Sequence, residues 1–509
     1  MKLFLRRNAP LFYALAAMLA LYIPWLNRGY SNWEWPHVLA GEALAYPEKI
    51  GLLDAYWSTG QANPLGYPLF NALLQRLVPW TDAPWLWRVP SLVGCGLIVT
   101  WGWLVRHEFG ENSHSNFYVW TLLLLSNPMI AVFSTHASSD ILPVGLLLIS
   151  FWILVRFSKT ENFYQLLSSA ALFGLSTITR YIAPYFAGYV IYILLKSGST
   201  KKRGLLNLTV FGLVTSVFLI SEIAWKFLSF NVLVSTRLAA NGPNFLDITN
   251  WSLVLLKNLS FVGVFCGALP LFLCLQRFEF SLLKLRHIAF AAPILVFAVA
   301  STRPVTEGEL DFGLGQLIPP MIVNAILFLG FLNFVALVVV VINRAEKKNQ
   351  FKAALTAGLV PYLILLSASR PTQRYLIYVV PILLFLIMRS FDSVSLSLRF
   401  AAVSTSVLIF ASFSLVGQLF LSAQGNASEK MAAWAVEKNL IGQTGPGEIF
   451  PHAGQNFWGT EIVDMRYEII AVTPSAEAQV KERILHREPM KVLGKVTRVY
   501  LLREIPVSP

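Results

Sequence analysis

Two carboxylates stand where an apolar chain has little reason to keep them. Asp140 opens the run "THASSDILPVGLLLISFWILVRF", and Glu34 sits between two tryptophans in "NWEWPH". Asp140 has two readings. With Ser138 and Ser139 it can cap the helix that follows, and Pro143 suits a first turn. Alternatively it is a substrate-binding or catalytic group held at the water–lipid boundary. Glu34 is either a hydrated interface residue or a carboxylate whose apolar neighbours raise its pKa, which suits proton abstraction from a hydroxyl. Arg180 in "TITRYIAP" and Glu222 in "LISEIAWKF" are further charges inside apolar sequence. Such charges cost about 2.5–3.5 kcal/mol at a bilayer centre, so they are rarely idle. Their plain alternative is mutual pairing or snorkelling. His136, one helical turn before Asp140, reads more simply as a satisfied polar residue than as a ligand.

The elements that must position these groups are membrane helices. Of 509 residues, 56% are hydrophobic and only 13% charged, with mean hydropathy +0.60. Apolar runs recur from end to end, which marks an all-α polytopic membrane protein. The net charge of +13 does not indicate nucleic acid, because the basic residues fall between apolar runs rather than on one face. Cys95, Cys266 and Cys274 all lie in apolar segments and offer neither a disulfide framework nor metal-ligand spacing. No cluster of His, Cys and carboxylates has metal spacing, so no metal or other cofactor is expected. No Walker-type loop or GxGxxG follows a strand, which argues against nucleotide chemistry.

About thirteen spans are expected, at 9–27, 89–105, 118–135, 140–156, 164–178, 181–196, 204–226, 251–275, 287–302, 317–342, 353–369, 374–389 and 400–421. With the N-terminus in the cytoplasm, cytoplasmic segments hold nineteen basic residues and the opposite side eleven before the tail. That bias sets the orientation. Residues 28–88 then form a long first outer loop, and residues 422–509 an extracytoplasmic C-terminal domain. In the loop, "HVLAGEALAY" and "YPLFNALLQRLV" have the spacing of amphipathic helices in the interface plane. Trp33, Trp35, Trp57, Trp80, Trp85 and Trp87 fit an aromatic belt. A second outer loop, residues 302–317, carries Glu307, Glu309 and Asp311 and could close over a substrate. The tail is expected to be a small α/β unit, with helices at "ASEKMAAWAVEKNL" and "SAEAQVKERILH" and strands at "EIFPHA", "YEIIAV" and "KVTRVYLL".

Several motifs in order resemble a known family. An acidic residue soon after the first helix is followed by an interfacial helix. "NPLGYPLFNALL" resembles an hPPLYPLLLAL pattern, the Asp140 run resembles an sD pattern ending in Arg, and "SRPTQRYLIYVVPILL" resembles R-x-x-RYLLPxLP. Together, over roughly residues 1–420, they look like the integral-membrane glycosyltransferases of the GT-C fold that use a polyprenyl-phosphate sugar donor. Protein O-mannosyltransferases and the lipid A aminoarabinose transferase are members. The resemblance implies a transferase that moves a sugar to an acceptor hydroxyl at the outer face, with inversion and a carboxylate as general base. It places Glu34 and Asp140 as catalytic, although Trp-Glu-Trp stands where the family often has an Asp-Glu pair; Glu42 and Asp54 are the alternatives. Arg374 and Arg370 would hold the departing lipid phosphate. Asn63, where relatives carry His or a basic residue, together with Tyr67, His136 and Arg180, completes the expected substrate contacts. The implied partners are the lipid-linked sugar, a glycan, lipid or protein acceptor, and membrane lipids, in a bacterial plasma membrane. The competing reading is a transporter or flippase of lipid-linked glycans, which would share the helices and the buried charges.

Overall fold

The computed structural model describes residues 2–31, 34–46, 64–81, 83–109, 112–197, 200–230, 248–276, 320–343, 350–369, 373–388, 395–438, 440, 444–445, 467–480 and 483–504. The expected span 287–302, the loop 302–317 and the strand "EIFPHA" lie outside these residues, as do Asp54, Asn63 and Arg370.

Helices dominate. In chain order they are α1 (Lys2–Tyr22), α2 (Trp35–Ala45), α3 (Gly66–Leu77), α4 (Pro84–Leu104), α5 (Ser113–Ser126), α6 (Pro128–Ser134), α7 (Leu142–Thr160), α8 (Phe163–Thr179), α9 (Ala187–Ser197), α10 (Lys201–Phe230), α11 (Ile248–Phe265), α12 (Leu269–Gln276), α13 (Pro320–Asn343), α14 (Gln350–Ser369), α15 (Val380–Met388) and α16 (Leu396–Glu437). Among the described residues, six helices are long and apolar enough to cross a membrane, or seven if α5 and α6 form one bent span. That bend is 66° and has a local cause. Pro128 opens α6, and Asn127 caps it by accepting from Met129 N at 3.1 Å.

Several expected spans differ in detail. The segment 251–275 is two helices broken at Gly267, which adopts φ +65°. The segment 374–389 is not one span but a 3-10 turn, Gln373–Tyr378, leading into nine-residue α15, whose side chains are all buried. Tyr362 Oη donates to Tyr375 O at 2.5 Å and anchors that turn.

α4 and α7 form the axis that matters for the site. A Cβ on Gly94 would lie 2.5 Å from Leu142 Cα, and one on Gly145 would lie 2.5 Å from Gly94 O. Only glycine permits this approach, which is the small-residue crossing typical of membrane helices. It brings the Arg88 end of α4 beside the start of α7. Toward the other end of α4, Trp101 meets Trp120 and Phe385 at centroid distances of 6.0 and 5.4 Å, closing an aromatic core.

The two helices of the first loop behave differently. α3 is amphipathic as expected: Leu69, Leu73 and Leu77 are exposed while Tyr67, Asn71 and Gln75 are buried. α2 instead is packed into protein, with His37, Val38, Ala40, Glu42, Ala43 and Ala45 all buried. Its small residues let it approach its neighbours closely, and Arg76 Nε donates to Ala45 O at its C-terminal end. Trp87 is likewise core, packed with Tyr30, Val38 and Ala137, whereas Trp80 and Trp85 are exposed.

The last helix, α16, is 42 residues long and runs without a break through "ASEKMAAWAVE" to the C-terminal sheet. That sheet has four strands in the order β1-β2-β4-β3: β1 (Thr444–Gly445), β2 (Tyr467–Val472), β3 (Ile484–Val492) and β4 (Lys495–Glu504). β1 is parallel to β2; the other pairs are antiparallel. The helix expected over "SAEAQVKERILH" shrinks to one turn, α17 (Pro474–Glu477). The last three residues of that stretch, 484–486, are strand instead, because Leu493-Gly494, both with positive φ, make a two-residue turn that pairs β3 with β4. Trp434 of α16 stacks on His486 of β3 at 4.4 Å.

Candidate active site

Three stretches far apart in sequence meet at the start of α7. They are the link from α1 to α2, the first turns of α4, and the link from α6 to α7. Glu34 is their hub. Arg88 donates to it through Nε at 2.7 Å and Nη2 at 2.9 Å, a bidentate grip. Arg28 Nη1 donates at 2.8 Å, and Ser31 N and Oγ at 2.8 and 3.1 Å. Ala137 N donates at 2.8 Å, three residues before Asp140. Arg88 also donates to Leu26 O, Arg28 O and Gly29 O, and Arg28 to Thr135 O. Gln418 of α16 donates to Thr135 Oγ1 at 2.8 Å and to Ala131 O, so the last helix is tied to the same loop.

The electrostatics of Glu34 reverse the expectation of a raised pKa. Burial opposes its charge, but Arg28 and Arg88 overcome that and hold the carboxyl well below its ordinary value. The carboxylate has no solvent exposure and its oxygens are occupied by donors. Both Glu34 oxygens already accept several hydrogen bonds from Arg28, Arg88, Ser31 and Ala137, which leaves Glu34 less able than Asp140 Oδ1 to accept a substrate proton in this arrangement.

Asp140 is placed differently. α7 begins at Leu142 with Ile141 as its N-cap and makes no side-chain capping bond. The capping reading of Asp140 therefore gives way to an ion pair. Arg180 Nη2 lies 3.6 Å from Asp140 Oδ1, and that oxygen, although buried, has no hydrogen-bond partner among the described residues. Burial opposes the charge on Asp140, and Arg180 and Arg374 offset it, so its carboxyl titrates below the usual value. Arg180 closes α8 in extended backbone. It donates to Ser139 Oγ and to Tyr375 Oη, each at 2.7 Å. Arg374 reaches the same Tyr375 hydroxyl at 3.5 Å, and both guanidiniums lie near the Tyr375 ring, at 4.9 and 5.2 Å. Asp140, Arg180 and Arg374 thus converge from three segments.

His37 and His136 line the same region. Burial first, with the nearby guanidiniums, pushes His37 down to about 3 and His136 down to about 4. Both imidazoles are neutral at physiological pH. His136 Nε2 is 2.8 Å from Ser31 Oγ, and His37 meets the edge of Tyr67 at 5.4 Å. Tyr67 donates to Trp87 O at 2.8 Å. Glu42 is buried on α2, two turns beyond Glu34. Arg180 and Glu222 do not pair with each other. Glu222 pairs with Lys226 at 2.7 Å and accepts from Tyr181 Oη and from Leu65 N, which fixes the entry to α3.

The sequence reading missed Arg28, Arg88, His37 and Tyr375. Arg28 and Arg88 entered it only as loop charges for orientation. The signal lay in Arg88 itself, a charge four residues past the start of an otherwise apolar helix. Tyr375 stands inside the "QRYLIY" motif. Among the described residues, no three His, Cys, Asp or Glu side chains cluster so as to hold a metal ion.

No family model matches the chain, and no curated protein does. Among solved structures it is similar to ArnT from Cupriavidus metallidurans in the apo state, at 13% identity and TM-score 0.42, covering 98% of each chain. It is similar to the same enzyme bound to undecaprenyl phosphate, at 14% identity and TM-score 0.43, over 97% of this chain and 98% of that one. The archaeal oligosaccharyltransferase AglB from Archaeoglobus fulgidus, in complex with an inhibitory peptide and a dolichol-phosphate, aligns at 13% identity and TM-score 0.42. That overlap covers 89% of this chain and 59% of AglB.

Proposed function

We propose that the chain is an integral-membrane glycosyltransferase that moves a sugar from a polyprenyl-phosphate donor to an acceptor hydroxyl at the non-cytoplasmic face of a bacterial plasma membrane. The observation that carries this reading is a buried carboxylate oxygen, Asp140 Oδ1, with no hydrogen-bond partner among the described residues, the Arg180 guanidinium 3.6 Å away and the charge of Arg374 also acting on it. The order of motifs along the sequence supports it independently.

In the proposed reaction, the acceptor oxygen attacks the anomeric carbon while the bond from that carbon to the phosphate oxygen breaks. Asp140 takes the acceptor proton. The lipid phosphate leaves with the bonding pair, and Arg180 and Arg374, with Arg370 as a further candidate, neutralise its charge. Attack and departure on opposite faces in one step invert the configuration. Glu34 takes a positioning role here: with Arg88 and Arg28 it holds residues 135–137 and hence the approach to Asp140.

The test is purified protein given polyprenyl-phosphate sugar and candidate acceptors, with release of polyprenyl phosphate as the readout. The proposal expects acceptor-dependent release. A transporter would carry intact donor across a vesicle bilayer with no release, and that result would replace this reading.

A further inference from the structure

At the end of the bundle opposite the Glu34–Asp140 cluster, a cavity of about 260 Å³ opens between the C-terminal ends of α4 and α7. Two helices fix that opposition. α4 carries Arg88 near its start and Leu104 at its end, and α7 starts two residues after Asp140 and carries Arg156 and Lys159 in its last turns. At 1.5 Å rise per residue these stretches span roughly 24–26 Å, close to the ~30 Å hydrocarbon thickness of a bilayer. On the membrane reading proposed above, on which this inference rests, cavity and cluster sit at the two boundaries of one membrane.

The cavity walls are apolar, built by Leu104, Val155, Phe351 and the Trp152 ring, while Arg156 and Lys159 stand at its rim. Both cations are exposed, and neither forms an ion pair among the described residues. The Arg156 guanidinium lies 5.1 Å from the Trp152 ring centroid, which holds it over the opening. The rim has one carboxylate, Glu108, 3.6 Å from His107. A soluble anion has no use for apolar walls, and a zwitterionic headgroup brings a cation that Arg156 and Lys159 repel. Two cations over an apolar floor at the membrane boundary match a phosphate whose alcohol carries acyl chains.

We propose that this cavity binds the headgroup of an anionic phospholipid from the leaflet opposite the Asp140 site. The full-length protein in neutral detergent is titrated with phosphatidylglycerol, phosphatidylcholine and inorganic phosphate, with bound lipid read by native mass spectrometry. Phosphatidylglycerol is expected to bind in preference to phosphatidylcholine and to resist millimolar inorganic phosphate. Removing both cations, Arg156→Ala with Lys159→Ala, should weaken it about thirtyfold, and Arg156→Gln alone about fivefold. Val155→Trp, which fills the cavity and keeps the charges, should weaken it as much as the double variant. Lys201→Ala with Lys202→Ala, the same charge loss at the start of α10, should change it less than threefold. Should the double variant not fold, the single and cavity-filling variants decide. Equal binding of phosphatidylcholine, displacement by inorganic phosphate, unchanged binding in Val155→Trp, or an equal loss in the Lys201/Lys202 control would each overturn the proposal.

Discussion

Replacing Glu34 with Gln is expected to damage the fold before it damages chemistry. The carboxylate is buried and sits between two buried guanidiniums, at 2.7–2.9 Å from Arg88 and 2.8 Å from Arg28. An amide of the same shape cannot neutralise either cation, and its NH2 group would face donors. Removing one partner of a buried ion pair costs about 3–5 kcal/mol, because the remaining charge is left uncompensated. Two cations share this one anion, so the upper half of that range is the expected loss. Cys95 and Cys266 are free and buried, so a thiol-reactive fluorophore reports unfolding directly. Glu34→Gln should lower the unfolding midpoint by several degrees, and Asp140→Asn should lower it much less, since Arg180 makes no hydrogen bond to Asp140 and is also held by Ser139 and Tyr375. A Glu34→Gln protein that unfolds with the wild-type midpoint yet has lost turnover would refute the positioning role and restore Glu34 as the base.

Two further outcomes follow from the same geometry. His136 is pushed down to about 4 from an unfolded value near 6.5. Its contribution to stability is therefore present above pH 6.5 and is lost as pH falls toward 4; between pH 6.5 and 5 the loss is roughly 2 kcal/mol. Unfolding midpoints measured across that window should fall in the wild type and about half as steeply in His136→Asn, because His37, pushed down to about 3, contributes over the same window; an equal slope in both would assign the acid sensitivity elsewhere. Glu34 has the opposite timing, because its depressed pKa keeps its contribution intact until far lower pH. Gly145→Ala would set a Cβ 2.5 Å from Gly94 O, forcing α4 and α7 apart. It should reduce polyprenyl phosphate release by more than tenfold and destabilise by about 1–3 kcal/mol; wild-type release would show that the crossing does not set the site.

The long apolar helices were legible because their signal is local: twenty consecutive apolar residues need no knowledge of the rest of the chain. Asp140 and Arg180 were legible for a related reason, since a charge beside such a run is conspicuous wherever it points. What was not legible depends on residues distant in sequence. The apolar neighbours of Glu34 predict a raised pKa, but its partners lie 6, 54 and 103 positions away, and the charges of the first two, Arg28 and Arg88, reverse the shift. Arg28 and Arg88 look like ordinary boundary charges until the fold brings a carboxylate between them. α2 looks interfacial because its apolar residues have helical spacing; its small side chains instead let it sink between α3 and α4. "ILH" closes the stretch read as a helix and instead opens β3, because the hairpin with β4 offers it backbone partners.

The central claim is that Asp140 accepts the proton while Arg180 and Arg374 hold the leaving phosphate. Its most direct test is the rate of polyprenyl phosphate release by Asp140→Asn, measured beside its unfolding midpoint. The account predicts a fall of about 10²–10⁴-fold, the usual worth of a general base, with the protein still folded at the assay temperature. Release at the wild-type rate by a folded Asp140→Asn protein would contradict it.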